Sequence, residues 1–344
     1  MKSISNTTIW YLVMAALALM VVAFASVEVW GSSAFGAEET PKTVDSSRGE
    51  SAEEDSPAAT EPAASELPVF RFALENWQAA PVGVVYFCQD ATKIPERDNE
   101  VLAHASKMES AIPPANINVL ATDNPSDDRL SKPVQRYLSS LESDRLPIFI
   151  TLTPWGWPLS VGDLTVEDLD AMFNSPVRTR LGELMADGTG VVLLIIAGSD
   201  EADNERVMEL AEQLAEEAEQ GHLKADDPGS VPLSVAALMV SRNDQRERWL
   251  IDSLLACEAT LADDFFRTMP IVFPVYGRAR FLPPLIGSDI THESLAVRLQ
   301  LLGSRCLWPA NSPMSGCDLP MAWDWDRTVT ELQSKDEPSE ESSD

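Results

Sequence analysis

Six short runs rich in Val, Ile, Leu and Phe alternate with longer segments of helical periodicity, and a chain built this way is confined to α/β folds. The runs are Val82 to Cys88, Asn116 to Ala121, Pro147 to Thr153, Gly190 to Ala197, Pro232 to Ser241 and Pro270 to Tyr276. Each is too short for a buried helix and rich enough in β-branched residues to pack on a pleated surface. Helices are expected over Asp128 to Glu142, Glu201 to Gln220 and Asp244 to Glu258. The second places Val207, Leu210, Ala211 and Leu214 on one stripe and its many acids elsewhere, which suits packing on a sheet. Strands separated by helices of this length predict a largely parallel sheet.

The order of elements occurs twice. Leu146-Pro147-Ile148-Phe149 opens a strand, followed by a turn at Trp155-Gly156-Trp157, a short strand from Pro158 to Val161 and a helix from Thr165. Met269-Pro270-Ile271-Val272 opens a second such stretch, with a turn at Gly277-Arg278, a strand from Arg280 to Ile286 and a helix from Thr291. Each half then reads strand, helix, strand, helix, X-Pro strand, hairpin strand, helix. Over Val82 to Phe173 and Gly190 to Gly303 this order resembles the thioredoxin fold, in which the proline opening the third strand is commonly cis and lies beside the active-site loop. The fold class expected is α/β, with two fused thioredoxin-like halves at 67–188 and 189–330 behind one hydrophobic N-terminal helix.

Lys2 and the amino group precede an unbroken apolar run from Ile9 to Val27, just long enough to span a bilayer. Residues 1–37 are therefore expected to act as a signal peptide, cleaved after Ala25 or Ala34, or to stay as a membrane anchor. In both cases the rest of the chain is carried out of the cytoplasm. Residues 38–66 carry nine acids against two bases and read as a solvated linker, as does the acidic tail 331–344. Of the formal net charge of −30, the two account for −7 and −5, so −18 remains on the folded part. Nucleic acid is a poor partner for such a domain because it demands a basic patch. The partners expected are a protein at or near the membrane and, if the leader stays, the membrane itself.

Thioredoxin-like enzymes keep two cysteines at the start of the helix after the first strand, and neither half has them. Cys88, in Phe87-Cys88-Gln89-Asp90, is alone near that place, and the second half has Ala197-Gly198-Ser199-Asp200 with no thiol. A lone cysteine ending an apolar strand reads first as a small hydrophobe. Cys306 and Cys317 flank a Pro- and Gly-containing loop and form the candidate disulfide, worth about 3 kcal/mol if unstrained. Free buried thiols are the alternative, and Cys257 reads as core. His104, His222 and His292 lie apart, without metal-ligand spacing, and no Gly-x-Ser-x-Gly elbow, phosphate-cradling loop or dinucleotide fingerprint is present. No catalytic residue, cofactor or metal is expected.

Trp155 and Trp157 flank a turn expected near the X-Pro edge of the first half, and Tyr276, Arg278 and Arg280 form the one local basic and aromatic group. These five residues are the candidate recognition surface, although a salt-bridged hairpin tip is the favoured account of the arginines, since arginines in an acidic protein readily find carboxylates. Asp263 with Asp264 reads as a cap. Asp324 and Asp326 beside Trp323 and Trp325 read as a helix start with docking tryptophans. At the residue level Pro68 to Trp77, Ser175 to Arg178, Phe273 to Arg278 and Ala322 to Trp325 resemble a family of uncharacterised bacterial membrane-anchored or exported proteins, which implies export but no activity. The function expected is a noncatalytic protein-interaction or scaffold module. Thiol–disulfide exchange through Cys88 or Cys306 and Cys317, and carbohydrate binding through Trp155, Trp157, Trp323 and Trp325, are the alternatives.

Overall fold

A computed structural model describes residues 66–223, 232–306 and 316–336, all within one compact unit. The apolar leader, the linker up to residue 65, the tail beyond 336 and most of the loop between Cys306 and Cys317 lie outside the described residues. No helix among the described residues is long and apolar enough to cross a membrane.

The chain opens with helix α1 (Val69–Asn76) and strand β1 (Val82–Phe87), followed by α2 (Glu96–Glu109) and β2 (Ile117–Thr122). Next come α3 (Lys132–Ser139), β3 (Ile148–Leu152), β4 (Pro158–Gly162), α4 (Val166–Phe173) and α5 (Pro176–Ala186). The second half runs β5 (Val191–Ile196), α6 (Glu201–Glu219), β6 (Val235–Val240), α7 (Arg248–Leu255), α8 (Asp264–Arg267) and β7 (Ile271–Tyr276). It closes with β8 (Arg280–Phe281), β9 (Leu285–Ile286), α9 (His292–Gly303), β10 (Cys317–Asp318) and α10 (Trp325–Asp336).

The protein is a mixed α/β structure with two sheets, ordered β2-β1-β3-β4 and β10-β8-β7-β5-β6 with β9 also on β7. That arrangement is consistent with thioredoxin-like halves. The sheets are not largely parallel, however: only β1 with β2 and β5 with β6 run parallel, while β3 and β7 oppose their neighbours. Apolar runs specify burial, and a strand buried on both faces reads the same in either direction. The hairpin from β3 to β4 forces antiparallel pairing, and β3 enters on the far side of β1 from β2.

The second hairpin strand expected over Arg280 to Ile286 is split into β8 and β9, because Pro283 and Pro284 carry no N–H for the ladder. The helix expected over Asp128 to Glu142 shortens to the eight residues of α3, with Pro133 in its first turn. Leu146-Pro147 is cis, as expected for the first half, whereas Met269-Pro270 is trans.

The expected boundary near residue 188 is crossed by packing. Val69, Phe72 and Ala73 of α1 join Leu193, Ile195, Val207 and Leu214 in the core on one face of the second sheet. Leu181 and Met185 of α5 join Leu194, Phe273 and Leu254 on the other face. In the opposite sense Trp249 of α7, 9% exposed, enters the core of the first sheet with Met172, Phe173 and Leu169.

Candidate functional site

The carboxyl end of β1 is where a thioredoxin-like half would keep its reactive thiol. Cys88 stands there, buried, with its backbone N–H donating to Thr122 O at 3.2 Å and its thiol directed at the same oxygen at 3.8 Å. Burial pushes this thiol up, and the nearby Asp123, Asp90 and Asp98 push it further, against a smaller downward pull from a backbone hydrogen bond. A nucleophilic cysteine needs a cation or helix N-terminus to favour the thiolate, and this one has carboxylates.

The matching loop of the second half is filled by its own backbone. Gly198 N–H donates to Asn204 Oδ1 at 2.7 Å, and Ser199 N–H donates to Thr268 O at 2.9 Å. A Cβ on Gly198 would sit 2.6 Å from Thr268 O and 2.7 Å from Pro270 N, so the loop lies flat on the segment that opens β7. There is no room for a substrate between them.

Cys88, Cys257 and Cys317 are free thiols. Cys306 is fully buried in the core beneath α9, while Cys317 packs against the core on the other face of the sheet together with Cys257. Burial pushes Cys317 up to about 11, with Asp318 adding to the effect, and raises Cys257 further. The thiolate of Cys317 therefore becomes abundant only near pH 11. Iodoacetamide at pH 7 is expected to label none of Cys88, Cys257 and Cys317 in the folded protein and all three in urea, with Cys317 labelling as the pH approaches its pKa. A cysteine that reacts quickly at pH 7 in the folded chain would restore the thiol–disulfide alternative.

The basic and aromatic group faces inward. Tyr276 is fully buried, and burial raises its phenol. Arg278, 7% exposed, donates through Nε to Leu74 O at 2.9 Å, through Nη1 to Gln78 Oε1 at 2.9 Å and pairs with Asp326 at 2.8 Å. Arg280 forks onto Asp318 at 2.8 and 2.9 Å and lies 5.3 Å over the Trp77 ring, and Asp318 also accepts from Ala80 N–H at 3.0 Å. These three residues tie the second sheet to the segment between α1 and β1, and the hairpin tip is salt-bridged within the chain.

Arg178 does the same job elsewhere. Fully buried, it donates through Nε to Pro320 O at 2.7 Å and through Nη1 to Ser175 Oγ at 3.2 Å, while nearby Glu247 accepts from Val177 N–H at 2.9 Å. Burial lowers Arg178 to about 9, opposed by Glu247, and leaves the guanidinium charged at neutral pH. The stretches that carry the family resemblance thus meet along one seam: α1 with the β7 hairpin, and α5 with the strap leading into α10.

Trp155 and Trp157 lie at the end of β3 remote from Pro147, not beside it, since the whole five-residue strand separates them. Trp155 packs edge-on to Phe281 of the second half at 6.4 Å, and both tryptophans are half-buried. Trp323 and Trp325 pack against the same core cluster, and Asp324 accepts from Arg327 N–H at 3.0 Å at the start of α10. Asp263 likewise caps, accepting from Phe265 N–H at 3.0 Å. His104 and His292 bond Asp170 and Glu217, each at 2.8 Å, and no group of His, Cys, Asp or Glu among the described residues is arranged to hold a metal ion.

A groove of about 290 Å³ runs across the first sheet. Its floor is Gly83, Val85, Asn118, Leu120 and Leu152, and its rim is Arg129 with the Thr153 to Gly156 turn. It exists because α3, at about 12 Å for eight residues, is shorter than the strands of about 20 Å that it covers. Val134 and Leu138 of α3 pack with Val85, Phe87, Ile150 and Leu152, while Gly83 stays partly and Asn118 largely exposed. Gly83 adds to it by having no side chain. None of these residues stands out in the sequence, where the only signals are a glycine inside a β-branched run and a proline-opened helix too short for its sheet.

No family model matches the chain, and no curated protein matches it. Among solved structures, the human ERp44 zinc-bound form is 14% identical over 68% of this chain and 58% of that one, with a TM-score of 0.23. Human ERp44 form I is 15% identical over 70% and 57%, with a TM-score of 0.22. The chain spans under three-fifths of the length of these proteins, and a likeness this slight carries no argument about activity.

Proposed function

We propose that this protein is a noncatalytic module, held outside the cytoplasm on its acidic linker, that binds a segment of another protein in the groove of its first sheet. The observation that carries the reading is the contrast between the sites. Both strand-end loops where a thioredoxin-like enzyme would work are closed, Cys88 by burial among carboxylates and Gly198 by backbone contact, while the groove is open and lined by apolar and uncharged polar groups around one arginine. That arginine is already forked onto Asp127 at 2.9 and 2.7 Å, so the groove itself is nearly neutral, and what enters it is selected by shape and apolar surface. Among the described residues the Cys88, Cys257 and Cys317 thiols are all pushed up, against thiol–disulfide exchange, and Trp155, Trp157, Trp323 and Trp325 are half-buried or buried, against a carbohydrate surface. Export rests on the Ile9 to Val27 run, and retention of that run would add the membrane as a second attachment.

The test is to fill the groove without disturbing the fold. A Cβ at Gly83 meets Leu152 Cβ at 3.4 Å and its neighbours at ordinary contact distance, so Gly83→Val projects two methyl groups into the groove. Crosslinking from intact membranes, followed by capture and mass spectrometry, is expected to recover specific proteins with the wild type and to lose them by about tenfold or more with Gly83→Val at unchanged thermal stability. Equal recovery by both would sink the reading.

A further inference from the structure

The groove runs out to a bare strand edge. β2 is the outer strand of its sheet, paired only with β1. The carbonyls of Asn116 and Thr122 accept from Val82 and Cys88, so the even-numbered residues of β2 turn their backbone groups toward β1. By the two-residue period of a strand, the N–H and C=O of Val119 and Ala121 point the other way, out of the sheet. Among the described residues no strand lies beyond them. Sheet edges are ordinarily blunted by lysine, proline or a bulge, and Ile117–Thr122 has none of the three.

The side chains of β2 divide in a matching way. Val119 and Ala121 pack into the core with Val82, Val101 and Ala105, while Asn118 and Leu120, in register with Gly83 and Val85, line the groove. Val119 also borders the groove although its side chain is turned to the core, which brings the backbone edge and the cavity into one continuous surface.

We propose that the outer edge of β2 accepts an extended segment of a partner protein as a fifth strand, with one of its aliphatic side chains lying beside Asn118 and Leu120 where β2 lines the groove. This deepens the reading above and rests on it. Main-chain bonds to Val119 and Ala121 supply attachment, and the groove supplies selection among side chains. A volume of about 290 Å³ suits one or two aliphatic side chains and is far too small for a folded surface. A second copy of this chain is a poor occupant, because a formal charge of −30 on each copy opposes self-association. The same acidity selects a segment whose ends carry lysine or arginine.

The probe is a fluorescent peptide of alternating Thr and Val with two lysines at each end, titrated against the whole chain in detergent. Saturable binding is expected, weakened about tenfold or more when glutamates replace the lysines and abolished when the peptide backbone is N-methylated. Hydrogen exchange is expected to slow at the amides of Val119 and Ala121 when the peptide binds. Ala121→Pro removes an outward N–H without touching a bond to β1 and is expected to abolish binding; the N-methylated peptide gives the same answer should that variant misfold. Equal binding of the N-methylated peptide, unchanged exchange at both amides, or a dimer of the chain that occupies β2 would each overturn the proposal. If Gly83→Val still releases the captured partners while these amides stay unprotected, only the strand addition fails and the groove reading stands.

Discussion

Asp318→Ala is expected to destabilise the protein by about 3–5 kcal/mol, read as a fall in the urea midpoint with little change in slope. Asp318, 3% exposed, is the only described carboxylate forked onto Arg280, which is itself 8% exposed and stacked on Trp77. Removing it leaves a guanidinium buried without its counter-charge and takes the acceptor from Ala80 N–H as well. Replacing both partners by apolar residues of similar size, as in Arg280→Met with Asp318→Leu, is expected to recover much of the loss, since the cost lies in the orphaned charge. A loss under about 1 kcal/mol for Asp318→Ala would show that water reaches Arg280 and that the seam is not dry.

Trp249→Ala is expected to cost about 3–5 kcal/mol as well, by a different route. The indole is a residue of the second half filling the core of the first, against Met172, Phe173 and Leu169. Its removal opens a cavity at the junction, lined by side chains of the first sheet's core. Hydrogen exchange is expected to quicken at β1 and β2 before it does at β5. Uniform quickening across both sheets would instead mean that the halves unfold as one cooperative unit.

The alternation of apolar runs and helices was legible because it follows from burial, and burial is what hydrophobic periodicity reports. The six expected strands fall within three residues of their runs, and of the expected α6 stripe Val207, Ala211 and Leu214 are buried and Leu210 partly so. Strand direction was not legible. Val191–Ile196 is fully buried along its length and pairs parallel to one neighbour and antiparallel to the other, so its composition is indifferent to direction. The hairpin strand after β7 is broken because Pro283 and Pro284, inside the apolar run from Arg280 to Ile286, cannot join a ladder.

The candidate site divides along the same line. That Cys88 stands alone and that 197–200 lacks a thiol could be read directly, whereas the carboxylates around Cys88 and the contact of Gly198 with Thr268 come from residues distant in the chain. Tyr276, Arg278 and Arg280 look like a surface in sequence because charge predicts exposure. Their burial depends on Asp318, Leu74 and Gln78, which no local pattern connects to them.

By itself, the sequence determined the mixed α/β class, the places of the six buried strands and the absence of a paired-cysteine motif, since each follows from local periodicity or from residue types present or missing. Only the tertiary structure decided which charged groups are buried, how the halves exchange α1, α5 and Trp249, and where a sheet is left uncovered. Those outcomes depend on element lengths set against one another in space, as when an eight-residue helix meets longer strands and leaves Gly83 partly and Asn118 largely exposed.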